Sequence, residues 1–340
     1  MSKSVRSQAA RIGRYLLGIA ALIWVINRGD WNKTIDVLGE ISPSVLGLLV
    51  ALAISGVVFR SLMWYSIVDH TTEITLLTAI EIDLVVNFLN QLMPSRLSGR
   101  SAAPLVVRQR AGVNVGTAAG ITGVNTGLYG LLYAGTALVG IAVIFGRIST
   151  GLLGLLLLST ALYLVAGVLI LIAGLKMEIV DALVVRLSAP SRRIPIIGSR
   201  ISELFDRVPE FTGYSADVFQ ETLTSPRVLL VFITGWIGSL AVFPALRVYV
   251  LFGALGSGFE PATALPVILI AAYSVTLLPL TPGGIGVTEA TATFVFVALG
   301  VPYEIAASTV LVDRVLGVYI PALLGWYPTV RQNPLSFVSS

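Results

Sequence analysis

An apolar stretch near the end of this chain is broken at Leu278-Pro279-Leu280-Thr281-Pro282-Gly283-Gly284-Ile285-Gly286-Val287-Thr288-Glu289. Proline carries no backbone donor and glycine readily leaves the helical region, so helical hydrogen bonding cannot run through this segment. The flanking residues are apolar enough to enter a bilayer, where every orphaned backbone group needs a partner. Broken backbone is tolerated there only where it packs in protein or lines a wet cavity. A second break lies in the other half, at Asn87-Phe88-Leu89-Asn90-Gln91-Leu92-Met93-Pro94-Ser95-Arg96-Leu97-Ser98-Gly99-Arg100. Corresponding breaks in two halves of a membrane chain point to a transport site between them.

Composition agrees with a membrane chain. Hydrophobic residues make up 56% of the 340 and charged residues 12%, with a mean hydropathy of +0.90. These values lie far outside the soluble range. The formal charge of +4 lends no support to nucleic-acid binding. The chain has no cysteine, which excludes disulfides, thiolate metal sites and cysteine nucleophiles, and the single His70 cannot build a metal site or a triad alone. There is no nucleotide-binding motif, and no cofactor is expected.

The apolar runs predict an all-α integral membrane protein with eight hydrophobic helical segments, six crossing fully and two forming re-entrant hairpins. Basic residues Lys3, Arg6, Arg11 and Arg14 precede a first helix at 12–26, which reads as a retained signal anchor. A second crossing follows at 44–68. Acidic residues dominate the loop between them, so the positive-inside rule places the N-terminus in the cytoplasm. The run 76–93 leads into Arg96, Arg100, Arg108 and Arg110. A full crossing would put that cluster outside, against the rule, whereas a hairpin returns it to the cytoplasm. Further crossings are expected at 113–145, 150–175, 228–255 and 306–326, with the second hairpin inside 261–299. Gly116, Gly120, Gly123 and Gly127 offer close helix contact. Residues 176–226 read as a cytoplasmic, surface-lying amphipathic loop, within a single polytopic domain spanning 1–340. Hairpins from opposite faces suggest an inverted repeat, and both termini are expected in the cytoplasm of a cell-membrane protein.

Seven ionisable side chains fall at membrane depth: Arg60, Glu81, Asp83, Arg247, Glu289, Asp313 and Arg314. Each costs a few kcal/mol at a helix centre, so each should face a partner or water. Arg60 is near enough to its helix end to snorkel. Asp313 and Arg314 point about 100° apart on a helix and should pair with neighbouring helices rather than with each other. Glu289 falls in the first turn of a new helix, where it either complements the helix end or acts in transport, as a proton acceptor or an arginine's partner across a cavity. Gly283, Gly284 and Gly286 are expected to leave amides bare for an anionic oxygen. Arg96 and Arg100, with planar donor forks, suit a lipid phosphate, and Asn87, Asn90 and Gln91 suit sugar hydroxyls.

The segment Leu278–Glu289 with Arg314 about one helix later resembles the C-terminal signature of the lysylphosphatidylglycerol synthase transmembrane-region family, also called the flippase-like domain family. Asn87, Asn90 and Pro94-Ser95-Arg96 resemble its N-terminal signature. Where that family usually shows Gly-Glu after this element, the chain has Ser98-Gly99, so an acidic partner is missing from the first hairpin. The resemblance implies a polytopic helical domain that moves aminoacylated phospholipids or lipid-linked saccharides across a membrane. The soluble domain that transfers amino acids from tRNA has no counterpart in these residues. The expected function is therefore a flippase-like carrier for an anionic phospholipid or a polyprenyl-phosphate-linked sugar, with a glycosyltransferase as candidate protein partner. Alternatives are a membrane-embedded glycosyl- or aminoacyl-transferase and a non-catalytic accessory subunit of a glycosylation complex.

Overall fold

The computed structural model describes residues 39, 42–92, 102–177 and 208–331. The expected helix at 12–26, Arg96 and Arg100 of the first break, and residues 178–207 of the expected loop lie outside the described residues. Five described helices are long and apolar enough to cross a membrane. They are α1 (Pro43–Thr71), α4 (Val115–Ile144), α5 (Thr150–Leu175), α7 (Pro226–Ala254) and α10, which runs from Tyr303 through a π turn at Val315–Tyr319 to Arg331. Between them lie the shorter α2 (Leu76–Leu92), α3 (Ala103–Ala111), α6 (Val208–Thr224), α8 (Leu265–Tyr273) and α9 (Val287–Ala298). The protein is an all-α, multi-pass membrane protein.

Local chemistry starts and stops these helices. Ser42 caps α1 through its hydroxyl, which accepts from the Val45 amide at 3.4 Å, and Pro43 occupies the first turn where no donor is needed. Asn114 caps α4 in the same way, accepting from the Thr117 amide at 2.8 Å. Between α3 and α4, Gly112 supplies the left-handed φ of +68° that ends α3.

At 1.5 Å per residue, the 9 residues of α3 and the 12 of α9 reach only about 14 and 18 Å. A hydrocarbon core is about 30 Å thick, so neither spans it alone. The short pairs α2–α3 and α8–α9 therefore have the lengths of hairpin arms.

The order long, short, short, long occurs twice, as α1–α4 and as α7–α10. The halves are interlocked: α2 packs along the last part of α10, and α8 along α4. Glycines permit this. A Cβ on Gly325 would lie 2.0 Å from the Leu84 carbonyl oxygen, and one on Gly140 would lie 2.0 Å from that of Val267. The tips of the two breaks also meet, since Gln91 rests against Gly283.

The segment expected to lie on the surface contributes α6, whose inward face docks on α4. Thr212, Ser215, Val218, Phe219 and Thr222 are buried at helical spacing, while Asp217, Gln220 and Glu221 face outward. The Ser215 hydroxyl donates to the Gly116 carbonyl at 2.7 Å. The Phe219 ring fills a notch between Gly123 and Gly174, where a Cβ would stand 2.8 and 2.2 Å from it. Gly116, Gly120 and Gly123 of the four expected contact glycines thus receive α6, and Gly127 receives α5. On its outer side α5 exposes Leu158, Val165, Leu169 and Ile172, a face suited to lipid.

The hairpin topology can be tested directly in a cysteine-free chain. Gln109→Cys, at an exposed position on α3, and Arg193→Cys are each expected to react with impermeant maleimide only from the cytoplasmic side. Labelling of Gln109→Cys from the outer side alone would show that α2 crosses completely.

Candidate functional site

Helix α2 presents Asp83, Asn87 and Asn90 at i, i+4 and i+7, one face of a helix. Opposite them stand Arg60 on α1, Asn125, Tyr129 and Tyr133 on α4, Arg247 on α7, Tyr273 on α8, and Asp313 and Arg314 on α10. Together these enclose a polar cavity of about 110 Å³ to which both halves contribute.

Three ion pairs organise this region, two of them buried and the Arg60–Asp83 pair partly so. Arg60 Nε donates to both carboxylate oxygens of Asp83 at 2.8 Å, with Nη2 at 2.8 Å from Oδ2. Arg247 reaches Asp313 Oδ1 through Nε at 2.8 Å and Nη2 at 2.6 Å, and the Tyr273 hydroxyl donates to Oδ2 at 2.9 Å. Arg314 Nε donates to Glu289 Oε1 at 2.8 Å, and its guanidinium lies 5.7 and 5.5 Å from the ring centres of Tyr273 and Tyr319. Asp313 and Arg314 do engage different helices, as their angular separation required. Arg60 does not snorkel. Its helix turns it inward, where Asp83 neutralises it.

Glu289 complements the helix start and also pairs with an arginine. Its Oε2 accepts from the Gly286 amide at 2.6 Å, which complements the start of α9, while Oε1 accepts from Arg314 and from the Tyr319 hydroxyl. This is half of a capping box, because glycine has no side chain to return the second bond. Two of the three amides expected to be bare are engaged: Gly286 donates to Glu289, and Gly284 to the Thr281 carbonyl at 3.1 Å. Gly283, Gly284 and Gly286 adopt φ of +59°, +75° and +81°, so their glycine identity serves the turn itself.

Two π segments border the cavity, Ile237–Val242 in α7 and Val315–Tyr319 in α10. Such segments leave carbonyls outside the regular ladder. The Gly317 carbonyl accepts from Arg60 Nη1 at 3.5 Å, and the Val318 carbonyl from Asn87 Nδ2 at 3.3 Å. Gly317 also leaves room for Arg247, whose Nη2 would stand 2.5 Å from a Cβ there. Glu81 lies apart. It pairs with Arg110, which also donates to the Pro328 carbonyl at 3.1 Å, and its side chain is 48% exposed.

The sequence reading missed Asn125, Tyr129, Tyr133, Tyr273 and Gly317. Asn125 carried a readable signal, an amide in the middle of a long apolar helix. The tyrosines carried none, because aromatic residues are common in any membrane core.

The family model for the lysylphosphatidylglycerol synthase TM region matches residues 11–325. That span contains both breaks and all three ion pairs. The chain belongs to this family. Among curated relatives, a UPF0104 membrane protein of Pyrococcus horikoshii is 35% identical over 97 residues, 28% of each chain. Two UPF0104 membrane proteins of Methanothermobacter thermautotrophicus are each 28% identical, one over 38% of this chain and 36% of its own, the other over 41% of both. These matches thus span well under half the length of the relatives. No solved structure matches the chain.

Proposed function

We propose that this protein moves a lipid across the membrane, with the head group passing through the cavity between the two halves and the acyl or prenyl tail remaining in the bilayer. One observation carries the reading: a polar cavity walled by paired arginines and carboxylates from both halves, in a chain otherwise apolar enough to be surrounded by lipid. Charges at that depth are costly and mark substrate paths far more often than scaffolding. The lipid is an anionic phospholipid or a polyprenyl-phosphate-linked sugar of the cell membrane. A substrate or ion gradient supplies the drive.

The test is reconstitution into vesicles carrying fluorescent phosphatidylglycerol or a fluorescent polyprenyl-phosphate sugar. The fraction of label reached by an impermeant quencher should rise from about half towards completion with protein and remain at half without it. No rise for any lipid would sink the reading. Arg96 is the proposed phosphate contact at the first break, and a bidentate contact distinguishes arginine from lysine. Arg96→Lys should therefore slow movement of phosphate-bearing lipid, and Arg96→Ala should slow it further. Equal rates for Arg96→Lys and wild type would make Arg96 an interfacial anchor.

A further inference from the structure

The carboxylates lining the cavity, Asp83 and Asp313, are each already held by an arginine. Three polar atoms on other lining residues find no partner among the described residues: Asn90 Oδ1, Asn125 Nδ2 and Arg314 Nη2. Asn125 is 2% exposed and Arg314 1%. A buried polar atom left unpaired costs on the order of 1–3 kcal/mol, so the site is built to be completed by something that enters it.

The unmet atoms describe the visitor. Two are donors and one is an acceptor. A hydroxyl group both donates and accepts, so it satisfies either end of either amide. A phosphate or further hydroxyl oxygen can take the spare Arg314 donor without dislodging Glu289. An ammonium group only donates. It would leave the Asn125 and Arg314 donors unmet and would add positive charge beside three guanidiniums whose carboxylates are engaged. Freeing a carboxylate for it would strand a buried arginine, the more expensive change. Trp64, Tyr129 and Tyr133 line the cavity and supply apolar surface beside the C–H groups of a ring polyol.

From this geometry we infer that the cavity takes a hydroxyl-rich, uncharged or singly anionic head group, such as a sugar or inositol on a phosphate, and discriminates against aminoacylated ones. The inference rests on the proposed head-group site and narrows its substrate class. It is tested by binding alone. The full chain in detergent is titrated with dioctanoyl phosphatidylinositol and with dioctanoyl lysylphosphatidylglycerol, and Kd is read from the shift in melting temperature. The inositol lipid should bind roughly tenfold more tightly, the effect of about one buried hydrogen bond met or unmet. Asn125→Leu should weaken the inositol lipid by about tenfold and leave the lysyl lipid unchanged, for the same reason. Asn90→Leu, on a different helix, carries the same expectation should Asn125→Leu fail to fold. Equal or tighter binding of the lysyl lipid to wild type would overturn the inference and would point to the aromatic rings acting as a cation cage. Inositol affinity unchanged in a folded leucine variant would also overturn it. Binding that follows these expectations, in a chain that flips no lipid, would retire translocation and leave the selectivity standing. Flipping of both lipids with equal affinities would do the reverse.

Discussion

Glu289→Gln is expected to destabilise the protein by about 3–5 kcal/mol, because it leaves the Arg314 guanidinium buried without its counter-charge. The amide keeps the shape of the carboxylate and can still accept from the Gly286 amide, so the loss isolates the charge. Thermal unfolding of the purified chain measures it. Replacing Arg314 as well, in Glu289→Gln/Arg314→Met, removes the stranded charge and should recover most of the loss, giving a strong coupling in the double-mutant cycle. Lipid movement should be lost in Glu289→Gln and stay absent in the double variant although stability returns. A single variant as stable as wild type would mean that Arg314 is satisfied elsewhere, and the pair could not be the element that joins α9 to α10. The sequence alone presents this substitution as nearly isosteric at a helix start, with an effect of at most about 1 kcal/mol. Burial of the arginine partner changes the expectation.

Gly283→Ala is the second large effect. A left-handed alanine costs about 1–2 kcal/mol and overpacking typically a further 1–3, so about 2–5 kcal/mol is expected. The overpacking arises because a Cβ at Gly283 would lie 2.1 Å from Gln91 Oε1. Gln91→Ala should relieve the side-chain overlap and return part of the loss. The conformational part and the contact with Gln91 Cα, 3.1 Å from that Cβ, would remain. If the cost of Gly283→Ala is the same with and without the Gln91 side chain, the two breaks do not touch, and the interlocking of the halves described above is wrong at its centre.

These two sites show which kinds of inference survive without coordinates. The break at Pro279, Pro282 and the three glycines was legible because its cause is local: a missing donor and a permitted φ act within a few residues. The crossings on α1, α4, α5, α7 and α10 were legible for a similar reason, since apolar length is a property of one segment. The inward direction of Arg60 was not. Its helix is apolar almost all round, so no polar stripe shows which side faces protein. The expectation that it reached the interface assumed lipid on that side, whereas Asp83 stands there.

By itself, the sequence determined that this is a helical membrane chain with two broken segments, that its ionisable groups at depth need partners, and that Asp313 and Arg314 must look to different helices. Only the tertiary structure decided the partners. Arg60 and Asp83 are separated by 23 residues, Glu289 and Arg314 by 25, and Arg247 and Asp313 by 66. Which charge meets which depends on how α2 lies along α10 and α8 along α4, and close backbone contacts at Gly325 and Gly140 set those crossings. Helix formation and bilayer insertion are governed by each segment's own hydrogen bonds and apolar surface. The cavity exists only where separate segments converge, and its unmet atoms on Asn90, Asn125 and Arg314 come from three different helices.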